Sequence, residues 1–119
     1  MPIRTLNHWT RAVNEGELEN LLSLYAEDAT FIPTFSAQPI RSQESIRNYF
    51  TRLLAQPDAA VKVSEHSVSS QTLPGNIFIV NGPYSFHSTE QDRPVRHEAR
   101  FTFVINPDLG SPILHHHSA

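Results

Sequence analysis

Leu6, Trp9 and Val13 recur at spacings of four and three, which places them on one stripe of a helix. The stripe ends before Asn14-Glu15-Gly16, where glycine can take the left-handed backbone that closes a helix. Leu18, Leu21, Leu22 and Tyr25 repeat at i, i+3, i+4 and i+7 and predict a second amphipathic helix. Ile46, Tyr49, Phe50, Leu53 and Leu54 share one face of a third. Ser42 suits its N-cap, Glu44 the positive end of its dipole, and Gln56-Pro57 its stop. Between the second and third helices, Ala29 to Thr34 is short and β-prone, and Pro33 assigns it to a sheet edge.

After Pro57 the hydrophobic period changes from 3.6 to 2. Val61 and Val63 alternate with Lys62 and Ser64, as in a half-exposed strand. Pro74-Gly75-Asn76 marks a turn. The apolar run Ile77 to Val80 reads as a central strand covered on both faces, and Asn81-Gly82-Pro83 as a bulge or bend before Tyr84 and Phe86. Phe101, Phe103 and Ile105 take one face of the next strand, and Arg100, Thr102 and Val104 the other. Asn106 to Gly110 forms a hairpin loop before a last strand from Ile113 to about Ser118.

The order is α+β: three N-terminal helices packed in a bent antiparallel sheet, as one domain over residues 1–119 with no linker or repeat. The outer face of that sheet also carries large apolar side chains, so a second subunit is its simplest cover and a homodimer is expected. Composition removes several alternatives. The chain has no cysteine, which excludes disulfides, thiolate catalysis and zinc–thiolate sites. Nine basic against twelve acidic residues give a net charge of −3 without a basic block, which argues against nucleic acid as a partner. No apolar run reaches membrane-spanning length, and Met1-Pro2-Ile3-Arg4 does not open a signal peptide, so no membrane partner and a cytoplasmic location are expected.

Leu24-Tyr25-Ala26-Glu27-Asp28-Ala29-Thr30-Phe31, following a Gly-Glu-x-x-x-Leu helix start, resembles the opening of nuclear transport factor 2-like domains, which include the SnoaL-like polyketide cyclases. Pro33-Thr34-Phe35-Ser36, Ser45-Ile46-Arg47-Asn48-Tyr49-Phe50, Glu98-Ala99-Arg100-Phe101-Thr102-Phe103 and Ile113-Leu114-His115-His116-His117-Ser118 extend the likeness. In order and spacing they are similar to bacterial stand-alone relatives of the calcium/calmodulin-dependent protein kinase type II association (hub) domain. The resemblance implies a cone, with a strongly bent sheet wrapped around helices, a pocket at the wide end, and pairing through the outer sheet face. Hub domains assemble such dimers into rings, so a higher ring is a further expectation. Family members isomerise, dehydrate, cyclise, hydrolyse or only bind, so the fold does not supply the reaction.

The resemblance also points to residues. Arg100 matches a hub pocket arginine and could hold a carboxylate through two parallel bonds. His117 falls where the hub places another arginine, whereas a third has no counterpart between Leu73 and Gln91. In a strand, His115 and His117 face one way and His116 the other. A histidine base, His115 or His117, with Tyr84 or Tyr49 as donor, is the enzymatic alternative. Asp58, Asp92 and Asp108 fall in loops, and only Glu65 and Glu98 are acidic strand positions, so a buried carboxylate base is poorly supplied. His-x-His at 115 and 117 has metal-ligand spacing, and His87 or His97 could join from neighbouring strands, but no carboxylate sits at an obvious third-ligand position, so neither a metal nor a cofactor is expected. Sequence therefore ranks a pocket for a small anionic or amphipathic molecule first, with Arg100, His117, His115, Tyr84 and Tyr49 as its contacts. Catalysis comes second, and an oligomerisation module with a vestigial pocket third.

Overall fold

The computed structural model describes residues 2–119; Met1, where the reading of the chain's start begins, lies outside them. Helix α1 (Pro2–Asn14) buries Leu6, Trp9, Ala12 and Val13. It closes where Gly16 takes φ +67°, with Glu17 N–H bonding Ala12 O at 2.8 Å and Gly16 N–H bonding Val13 O at 3.2 Å. Those two reversed bonds satisfy the last free carbonyls of the helix. Helix α2 (Leu18–Ser23) is shorter than its periodicity suggests. Tyr25, expected as its last inward residue, instead opens strand β1 (Tyr25–Ile32). Tertiary pairing overrides the helical pattern, because Leu24 O accepts Ile113 N–H at 2.8 Å and draws the chain into the sheet. Helix α3 (Gln43–Leu54) is capped as expected, Ser42 Oγ accepting Ser45 N–H at 3.1 Å.

Strands β2 (Ala60–Val63), β3 (Ser69–Leu73), β4 (Ile77–Glu90), β5 (Arg93–Ile105) and β6 (Ile113–Ser118) complete a curved sheet in the order β1-β6-β5-β4-β2, with β3 also on β4. Four of its pairings are antiparallel, but β1 pairs β6 in parallel, so the sheet is mixed. These two strands lie far apart in sequence, and no hairpin constrains their direction. Strand β3 left no trace in the pattern because all five of its residues are exposed. Glu65 lies in a 3-10 turn rather than a strand, while Glu27, Asp28 and Glu90 are acidic strand residues, all exposed.

Asn81-Gly82-Pro83 is not a bulge. The β4/β5 register runs unbroken from Phe78↔Ile105 to Glu90↔Arg93. Pro83 needs no N–H here. Its partner Arg100 turns both backbone groups to Ala119 (2.8 and 2.9 Å), and β4's other edge passes from β3 to β2 at this point. Gly82 eases that passage, since a Cβ there would sit 3.2 Å from Ser67 O and Val68 Cα and press the backbone aside by a few tenths of an ångström. The central strand is also less covered than its apolar run implies. Val80 is buried, but Ile77, Phe78 and Ile79 are half-exposed within this chain.

The free edge of β2 is closed by a side chain. Asn14 Nδ2 donates to Val61 O at 3.0 Å and Asn14 Oδ1 accepts Val61 N–H at 2.7 Å, imitating a neighbouring strand. Asn14→Ala is expected to lower the urea-unfolding free energy by about 1–3 kcal/mol by orphaning both groups; an unchanged midpoint would show the contact to be idle.

Candidate functional site

The cone's interior is occupied. Trp9, Tyr25, Phe31, Phe50, Phe101, Phe103 and His116 are all essentially inaccessible, and His116 stacks between Phe31 (4.4 Å between ring centres) and Phe103 (4.1 Å). Alternation along β6 turns His116 and Ser118 inward and leaves His115 and His117 outside.

The buried polar groups form one directed chain of hydrogen bonds. Trp9 Nε1 can only donate, and it donates to Tyr25 Oη at 3.0 Å. The Tyr25 proton is left for His116 Nδ1, 2.8 Å away. A neutral ring accepting at Nδ1 carries its proton on Nε2, which faces Tyr84 Oη at 3.2 Å. Tyr84 then donates to Ser118 Oγ, which meets the Thr34 hydroxyl. Burial, followed by the neighbouring His115 and His117, holds His116 well below the usual histidine range. Burial also raises the Tyr25 and Tyr84 phenols. No buried side-chain nitrogen or oxygen among the described residues lacks a partner. With its Nδ1 lone pair engaged and no exposure, His116 is a structural group without access to substrate.

The sequence candidates divide between the two faces of the sheet. Tyr84 is inward and sealed within this network. Arg100, His115 and His117 are outward, because Phe101, Phe103 and Ile105 take the inner positions of β5, and β6 follows the same alternation. The pocket arginine implied by the resemblance is therefore not between sheet and helices. Arg100 and His117 do meet, on an outer-face hollow of about 520 Å³ shared with Pro83 and Thr102. Arg100 also borders a neighbouring hollow of about 750 Å³ with Lys62, Ser85 and Arg96. Glu98, two residues from Arg100, pairs instead with Arg96 at 2.8 Å. His115 is half-buried on the same face, and burial lowers its pKa, with His117 adding to the shift. Among the described residues no group of three His, Asp or Glu side chains is placed to hold a metal ion.

Space between helices and sheet survives at the wide end. A hollow of about 180 Å³ lies among Val13, Leu53, Gln56, Phe86 and His97, with Phe35 over it. An apolar cavity of roughly 150 Å³ accommodates benzene, so this one suits a single ring or a short chain. Tyr49 borders an adjoining hollow of about 490 Å³, and burial pushes its phenol up to about 12, against smaller opposite effects of the Phe35 backbone and Arg52. The sequence offered His97 only as a possible metal ligand and Phe35 only within the Pro33-Thr34-Phe35-Ser36 likeness, and neither as a wall of this hollow, because one lies on a largely polar strand segment and the other in a loop.

Comparison with known proteins agrees with the cone. A protein from Xanthomonas campestris described as a calcium/calmodulin-dependent protein kinase II association domain is 28% identical over 95% of this chain and 80% of its own, with a TM-score of 0.82. A protein from Novosphingobium aromaticivorans described as an aromatic ring hydroxylase is 16% identical over 97% and 82%, also with a TM-score of 0.82. A Catenulispora acidiphila protein with a ketosteroid isomerase-like fold, in complex with trimethylamine, is 14% identical over 97% and 83%, with a TM-score of 0.67. No curated protein sequence matches. No helix among the described residues is long and apolar enough to cross a membrane. The SnoaL-like domain family model matches residues 6–105, most of the chain from within α1 to the end of β5, and the chain belongs to that family.

Proposed function

We propose that this chain is a small-molecule-binding domain that works as a homodimer and takes its ligand at the mouth of the cone. The observation that carries the reading is where room remains between the sheet and the helices. The interior is filled by aromatic rings and a fully satisfied polar chain, whereas the mouth keeps a hollow of about 180 Å³ with apolar walls and a few polar groups. Tyr49 borders the adjoining hollow and is the sequence candidate that fits this site. Ile79, Pro83 and Val104 are half-exposed on the outer sheet face, which supports pairing there, as does the likeness to an association domain.

Native mass spectrometry of freshly purified protein is expected to show a dimer carrying an extra mass that is lost on activation. Gln56→Trp, at an exposed position beside the mouth, is expected to fill the hollow and eject that mass, while Arg100→Ala keeps it. Loss of the mass in Arg100→Ala but not in Gln56→Trp would move the ligand to the outer hollow beside Arg100 and His117. Proton transfer is the second reading, and His97, exposed at the mouth, is the observation that favours it. It requires a rate that vanishes in His97→Ala.

A further inference from the structure

Phe35 is exposed to 45% although it is a large apolar residue, and its ring meets Phe86 and His97 edge-on, with 5.5 and 5.2 Å between ring centres. Its side chain stands between the two hollows at the mouth, which share Phe35, Leu53 and Gln56. On one side lies the apolar hollow of about 180 Å³. On the other lie Tyr49 and Arg52 around about 490 Å³. Turning out a ring already half in water sacrifices little buried area, and it would join the two spaces.

The joined space is asymmetric. Arg52 has no carboxylate within ion-pair distance among the described residues, whereas Arg11, Arg47 and Arg96 each have one. Its guanidinium lies near enough to Tyr49 to act on that phenol, and a phenol with a raised pKa keeps its proton to donate. At the opposite end Glu90 borders the apolar hollow and would repel a second negative charge.

We propose that the mouth takes a monoanionic ligand with one carboxylate and a compact apolar or aromatic body. The carboxylate rests on Arg52 and the Tyr49 hydroxyl, and the body displaces the Phe35 ring to lie against Leu53 and Phe86. Phe35 is thus the gate of the site, and Arg52 sets its preference for acids. This rests on the mouth being the ligand site and adds the chemical class.

Phenylacetate and its neutral analogue 2-phenylethanol are the probes, titrated into labelled protein and followed by NMR at Phe35, Leu53 and Gln56 at the mouth and at Thr102 and Val104 on the outer face. Saturable shifts at the mouth are expected, with phenylacetate binding about fivefold more tightly than the alcohol, as one partly exposed charge-assisted contact allows. Arg52→Gln, a surface change that leaves the core untouched, is expected to bring the acid down to the alcohol. Arg100→Ala is expected to change neither. Equal affinities for acid and alcohol at the mouth would overturn the carboxylate assignment and leave the mouth as the ligand site. Shifts confined to Thr102 and Val104, or no saturable binding of either probe, would overturn both.

Discussion

Trp9→Ala is expected to lower the unfolding free energy by about 4 kcal/mol, near the top of the range for a large side chain removed from a core. The indole is inaccessible and packs on Tyr84, Phe103 and His116 at ring-centre distances of 5.8, 5.6 and 5.6 Å. Its removal leaves a void that α1 cannot close, because Leu6 and Val13 hold the helix at either side. It also removes the indole N–H that donates to the Tyr25 hydroxyl and opens the buried chain. Since domains of this size have about 5–15 kcal/mol in all, the variant is expected to lie close to its unfolding threshold. Trp9→Phe keeps most of the volume and is expected to lose less than half as much. Urea denaturation of both variants checks this, and a loss below about 1 kcal/mol for alanine would mean that the interior is not packed as described.

The second large effect is on the acid side. His116 is held neutral in the fold, while in the unfolded chain it titrates near 6.5. Its folded pKa is depressed, so the unfolded state binds the proton first as pH falls. Stability is therefore fully present above about pH 6.5 and declines below it, at up to about 1.4 kcal/mol per pH unit from this residue. His115 and His87, whose pKa values burial also lowers, act in the same direction but are less enclosed. Among the described residues no carboxylate is paired with the His116 ring; the rings packed on it are those of Trp9, Tyr25, Phe31, Tyr84 and Phe103, so no counter-charge offsets the desolvation of its charged form. Unfolding free energies between pH 7.5 and 5 are expected to fall with this slope. His116→Gln, which can still donate and accept, is expected to flatten most of it. A wild-type stability unchanged over the range would contradict the assignment.

The fold was legible where burial imposes a period. Helix α3 announced its inward face, cap and stop within the sequence, and the alternation in β5 and β6 was visible as Phe101-x-Phe103-x-Ile105 and His115-His116-His117. Strand β3 was hidden because Ser69 to Leu73 bury nothing. The β4–β5 turn was marked only by Asp92 as a loop position, because Gln91 and Asp92 both adopt positive φ, 51° and 62°, without a glycine to signal them. Tyr25 satisfied a helical spacing and a strand equally, and only the pairing of Leu24 with Ile113 decided between them.

For the site, the sequence supplied chemistry but not direction. The resemblance drew attention to Arg100 and His117, yet the alternation already placed Arg100 opposite Phe101 and Phe103, hence outside. His116, set aside as the odd one of three, became the centre of the buried network because its neighbours on the inner face are Phe103 and Phe31. Arg52 carries no motif and Phe35 only the loop likeness of Pro33 to Ser36, and the two are brought to one hollow where the β1–α3 connection meets α3.

The account depends on an interior sealed around a neutral His116, which leaves the mouth as the room for a ligand between sheet and helices. Long-range proton–nitrogen NMR of the histidine rings across pH 7.5 to 5 tests this most directly. His116 is expected to show the neutral form protonated at Nε2 throughout, because burial holds its pKa well below the usual histidine range. A His116 ring that becomes charged near pH 6.5, the ordinary histidine value, would show that water reaches the centre of the cone and would return the ligand site to its interior.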